Sequence, residues 1–83
     1  MGRKSSYLEQ MDKFIGRKIY FLRLAKGLSR AELSKVIDVT YQQLQKYENG
    51  TNRVSASRLL LIAKALEHGI PYFYEGFEGS DNR

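Results

Sequence analysis

The sequence predicts an all-α domain of five short helices. Three observations carry that prediction. Apolar residues recur at helical spacing near both ends of the chain, with Ile15, Ile19 and Leu22 on one stripe and Leu59, Ile62, Ala63 and Leu66 on another. Helix-capping residues stand at Ser29 (with Glu32), at Thr40 (with Gln43) and at Ser55. The single proline is Pro71, so little breaks a helix before it, and no strand-like alternation intervenes.

The first helix is expected from about Asp12 to Lys26, closed by Gly27 as a left-handed C′ residue. Ser29-Arg30-Ala31-Glu32 is a capping box that opens the second helix, which runs through about Ile37. After Asp38-Val39, Thr40 opens the third helix, which ends near Asn49-Gly50. Ser55 opens the fourth, closed by Gly69, and Pro71 suits the first turn of a short fifth helix through about Glu75. Two capped helices joined by so short a turn form the helix-turn-helix pattern. The expected organisation is a partly disordered basic extension over 1–11, a domain over 12–76 and a flexible acidic tail over 77–83.

Composition narrows the chemistry. Eighty-three residues, 42% hydrophobic and 28% charged, suit one small folded domain rather than a disordered chain. Cysteine is absent and His68 is the one histidine, which excludes disulfides, thiol nucleophiles and multi-histidine metal sites. No cofactor or metal is expected. No apolar run approaches the roughly 20 residues of a membrane span. No apolar segment of a secretory signal follows Met1-Gly2-Arg3-Lys4, so the expected location is cytoplasmic. The net charge is +5 and the pI about 9.6. Residues 1–66 hold 13 basic and five acidic side chains, whereas 67–83 hold one basic and four acidic. So basic a globular part attracts polyanions: DNA, RNA or an anionic membrane.

The third helix has a divided surface. With Leu44 at the centre of its buried face, Gln42, Gln45, Lys46 and Asn49 fall on the opposite side. Gln can present a paired donor and acceptor to adenine, and Lys can reach guanine O6 and N7. Tyr41 occupies the first turn, the end that approaches base edges in such motifs. Glu48 lies only about 40° from Leu44, and Arg23 about 40° from Ile19 on the first helix. A buried carboxylate needs a partner, so Arg23 and Glu48 are expected to pair and lock the two helices together. The polar loop Gly50-Thr51-Asn52-Arg53 suits phosphate oxygens, and Arg30 with the free amides of the second helix start offers a second anion site.

These residues, in this order, resemble the phage-repressor and Cro type helix-turn-helix domain of the XRE-like family. The resemblance runs over about residues 14–75. It rests on Ile15-Gly16-x-x-Ile19-x-x-Leu22-Arg23, Gly27-Leu28-Ser29, Glu32-Leu33, Val39-Thr40, Leu44, Tyr47-Glu48-Asn49-Gly50 and Leu59-x-x-Ile62-Ala63-x-x-Leu66. It implies a lambda-repressor-like fold and a sequence-specific regulator, usually a repressor, of bacterial or phage transcription. Such regulators usually bind a pseudo-palindromic double-stranded operator as homodimers. It implies base contacts from Tyr41, Gln42, Gln45 and Lys46, and phosphate contacts from Ser29, Arg30, Asn49 and Arg53. The Arg23–Glu48 pair recurs in members of the family. Four positions depart from the usual pattern without disabling it: Arg30 stands for glutamine, Asp38 for the turn glycine, Ser34 for alanine and Val54 for proline.

A larger departure is a second apolar face on the first helix, where Phe21 and Leu24 lie far from the Ile19 stripe, with Phe14 nearby. Two covers fit it: an intrachain lid made by the aromatic tail Tyr72-Phe73-Tyr74 and Phe77, or a dimer seam, which family precedent favours slightly. A rival reading is the antitoxin of a toxin–antitoxin pair, or another protein-interaction module that also binds DNA. An enzyme is not expected. His68 beside Gly69 complements a helix dipole, and Ser29, Ser55 and Ser57 have no sequence context suggesting a base.

Overall fold

A computed structural model describes residues 6–77. The flexible-tail expectation for 78–83 and the extension expected over 1–5 lie outside the described residues. Four α-helices follow one another: α1 Ser6–Ala25, α2 Arg30–Val36, α3 Tyr41–Glu48 and α4 Ala56–Ala65; a 3-10 helix over Ile70–Tyr74 completes the fold. Among the described residues there is no strand.

Local chemistry sets the helix starts. Ser29 Oγ accepts the Glu32 N–H at 3.0 Å while the Glu32 carboxylate accepts the Ser29 N–H at 2.7 Å, so the capping box is complete. Thr40 and Ser55 cap α3 and α4 by accepting from Gln43 and Arg58 amides. The α2 end is held by tertiary structure as well, because Arg58 Nη1 of α4 donates to the Ile37 carbonyl at 2.7 Å.

Two boundaries and one helix type differ from the sequence reading. The first helix starts at Ser6, not about Asp12. Tyr7 and Met11 extend its apolar stripe by two turns, Met11 against the core, and Tyr7 and Phe14 pack on Phe77 with ring centroids 5.5 and 5.3 Å apart. Gly69 does not close α4. The left-handed residue there is Glu67, at φ 61°, and the His68 N–H reaches back to the Ala63 carbonyl; Gly69, at φ −78°, instead precedes the 3-10 helix. The fifth helix is 3-10 rather than α, because five residues including Pro71 leave too few amide donors for an α-helical ladder. Asp38 adopts the left-handed conformation expected of the turn, at φ 61°.

The core places α3. Ile19, Leu33, Ile37, Leu44, Ile62, Leu66 and Phe73 are fully buried. Phe73 therefore plugs the core and is unavailable to a seam. At the α1–α3 crossing, a Cβ on Gly16 would overlap the Tyr47 and Glu48 carbonyl oxygens, so a glycine is what lets α1 lie against the end of α3. Leu44 and Tyr47 seat α3 on the core.

Candidate nucleic-acid interface

Packing α3 by Leu44, Tyr47 and Glu48 leaves its other side in solvent. Tyr41, Gln42, Gln45, Lys46 and Asn49 are exposed, as the helical projection requires. The outward face is polar, carries one cation and lacks carboxylates. The expected buried pair is present. Arg23 donates from Nε to Glu48 Oε2 at 2.7 Å and from Nη2 to Oε1 at 3.2 Å, and both side chains are almost wholly buried. Nη1 of Arg23 donates to the Leu28 carbonyl at 2.9 Å, which ties the α1–α2 turn to the same guanidinium.

Sequence reasoning missed a third member of this cluster. Arg30 Nε donates to Glu48 Oε1 at 2.9 Å, and Arg30 Nη1 donates to the Tyr41 phenol oxygen at 3.3 Å. Its guanidinium carbon lies 5.7 Å from the Tyr41 ring centroid. The hydrogen bond to Glu48, followed by the one to Tyr41, raises the Arg30 pKa above the ordinary guanidinium value. The available signal was stoichiometric: a carboxylate has about four acceptor positions, so a buried one can hold more than one arginine.

The remaining expected contacts are spread around α3. Ser29 spends its amide and its acceptor on the capping box, leaving the hydroxyl proton to donate elsewhere. Asn49 Oδ1 accepts from the Thr51 N–H and hydroxyl, which shapes the loop after α3. Arg53 is exposed, but its Nε donates to both Asp12 oxygens at 3.1 and 3.2 Å. That contact with α1 had no sequence signal, since the two residues are 41 positions apart. His68 rests against the Tyr72 ring, 4.6 Å between centroids, with its Nδ1 3.0 Å from the Glu67 carbonyl oxygen.

The second apolar face is only partly covered. Phe77 packs on Phe14, and Lys18 Nζ sits 4.4 Å from the Tyr72 centroid and 5.4 Å from that of Phe14. Phe21 and Leu24 stay 55% and 49% exposed, so the aromatic C-terminal segment is a lid over Phe14 but not over these two. Among the described residues, no helix is long and apolar enough to cross a membrane.

A helix-turn-helix family profile matches residues 19–73, which include all of α2 and α3. The chain belongs to the XRE-type helix-turn-helix family. An uncharacterized HTH-type transcriptional regulator of Rickettsia conorii is 63% identical over 78 residues, covering 94% of this chain and 62% of that protein. An uncharacterized transcriptional regulator in the ATPase CF(0) region of Rhodospirillum rubrum is 43% identical, covering 92% of this chain and 70% of that protein. This helix-turn-helix chain thus spans about three-fifths of the length of its Rickettsia relatives. Among solved structures, the restriction-modification controller protein C.AhdI from Aeromonas hydrophila is 30% identical with a TM-score of 0.70, over 76% of this chain and 94% of that one. The clp gene regulator ClgR from C. glutamicum has a TM-score of 0.73 at 24% identity and shares the fold, over 76% of this chain and 82% of that one.

Proposed function

We propose that this helix-turn-helix chain binds double-stranded DNA sequence-specifically and represses transcription, with α3 in the major groove. The observation that carries the reading is the division of α3: its uncharged amides and one lysine face solvent while its only carboxylate is buried and neutralised. A groove lined by phosphates repels an exposed carboxylate, so internal pairing of Glu48 clears the face of negative charge.

In this reading Tyr41, Gln42, Gln45 and Lys46 meet base edges, and Ser29, Asn49, Arg53 and the unengaged Nη2 of Arg30 meet phosphates. The exposed Phe21 and Leu24 form the seam of a homodimer, which reads two half-sites of a pseudo-palindrome about 34 Å apart. The test is selection of random duplexes with the purified chain, followed by binding across a salt series. The expected results are a two-fold symmetric consensus and an affinity that falls steeply with salt. Recovery of unenriched sequence would contradict specific binding, and a single unrepeated half-site would contradict the dimer.

A further inference from the structure

Arg23, Glu48, Arg30 and Tyr41 form one continuous chain of charge-assisted contacts from the core to the exposed start of α3. Arg23 is buried and held at three points, twice by Glu48 and once by the Leu28 carbonyl. Glu48 is equally buried and accepts from both arginines. Arg30 is partly buried and grips Glu48 at one end of its guanidinium and the Tyr41 phenol at the other. Tyr41 is the only exposed member, at 45%. A tyrosine side chain at a helix start would ordinarily sample several rotamers. Here a planar, pre-organised fork fixed to a buried anion holds it.

The direction of the hydrogen bond has a chemical consequence. Arginine donates only, so the Tyr41 oxygen must act as the acceptor in the Arg30 contact. The phenolic O–H is then the group left to point outward, and it presents a donor. In the major groove guanine offers N7 and O6, adenine N7 and thymine O4 as acceptors, whereas cytosine offers only its N4 donor. We infer that Arg30 is a positioning residue for base recognition, holding Tyr41 as a hydrogen-bond donor so that the base it meets must carry a major-groove acceptor and cannot be cytosine. The inference rests on the proposed docking of α3 in the major groove.

The test uses the full chain and the duplex enriched by selection. Affinity is measured for all four bases at each position of one half-site, for the unsubstituted chain and for Tyr41→Phe, Arg30→Gln and the double variant. At one position the unsubstituted chain should reject cytosine by about tenfold or more. Tyr41→Phe keeps the ring and loses the donor, so the rejection should shrink to within about twofold; Arg30→Gln should do the same, and the double variant should discriminate against cytosine no less than either single one. The Tyr41→Phe salt slope should be unchanged, since no phosphate contact is lost. If Arg30→Gln weakens every sequence equally, lowers the salt slope by about one and keeps the base preference, Arg30 is a phosphate contact only and the inference is wrong. Intact cytosine rejection in Tyr41→Phe would also overturn it. If selection enriches no sequence, major-groove reading itself fails and takes the inference with it. Tyr41→Phe changes one exposed oxygen, so the measurement does not depend on a variant whose folding is at risk.

Discussion

Glu48 holds two arginines, and this makes the three members of the cluster unequal in a way that stability measurements can resolve. Glu48→Gln keeps the shape but removes the charge. It leaves the Arg23 guanidinium, whose side chain is 6% exposed, buried without a counter-ion, and leaves Arg30 repelling it. Breaking a buried pair this way costs about 3–5 kcal/mol. Arg23→Met is milder, because Glu48 keeps Arg30 at 2.9 Å; what goes is one charged contact and the donor to the Leu28 carbonyl, about 2–3 kcal/mol. Arg30→Gln is mildest, about 1 kcal/mol, since that side chain is 24% exposed and the inner pair survives. A domain of this size has roughly 5–15 kcal/mol in all, so Glu48→Gln removes a large share. Urea unfolding followed by far-UV circular dichroism measures the three. With a slope near 1–3 kcal/mol/M, the midpoints should fall in the order Glu48→Gln, Arg23→Met, Arg30→Gln at constant slope. If Arg23→Met is as damaging as Glu48→Gln, Arg30 does not share the carboxylate and the reasoning fails.

Other expectations are checked as directly. The Ser29 amide holds the Glu32 carboxyl below its ordinary value of 4.5, so the capping contribution is complete above that pH and lost as pH falls through the lower folded value. Glu32→Gln should therefore show a stability deficit at pH 7 that narrows below pH 4.5; a gap that stays constant down to pH 3 would contradict the linkage. Gly16→Ala should cost about 3 kcal/mol, because the new methyl meets two backbone carbonyls that cannot move aside, whereas Gly27→Ala, with open space but φ +75°, should cost about 1 kcal/mol; equal thermal-melt shifts would refute the α1–α3 contact. Arg53→Ala should weaken binding to all duplexes alike and lower the salt slope by about one; a loss confined to one sequence would remove it from the phosphate contacts.

What was legible in the sequence was what local rules govern. The capping pairs at Ser29, Thr40 and Ser55 satisfy helix-start amides within three residues, so the pattern fixes those starts. Arg23–Glu48 was also legible, because the helical projection turns both inward and burial demands pairing. The place of Arg30 in the first turn of α2 offers it to phosphate; its attachment to Glu48, 18 residues away, depends on how α2 packs on α3. The polar loop likewise offers Arg53 to phosphate, and only the fold brings Asp12 beside it. The early start of α1 is written in Tyr7 and Met11, but the cover over Tyr7 exists only once Phe77 returns to it. Gly69 misled for a physical reason: glycine is favoured in the left-handed conformation, yet Glu67 takes it because the helix end falls at Leu66.

The claim on which the functional account depends is that the exposed amide face of α3 reads bases. The most direct measurement compares Gln42→Ala with the unsubstituted chain on the selected duplex, on its single-base variants and on a scrambled duplex, at one fixed salt concentration. The account predicts a loss of about 1–3 kcal/mol on the selected duplex, relaxed preference at a single base position, and little change on scrambled DNA. Equal losses on selected and scrambled DNA would contradict it.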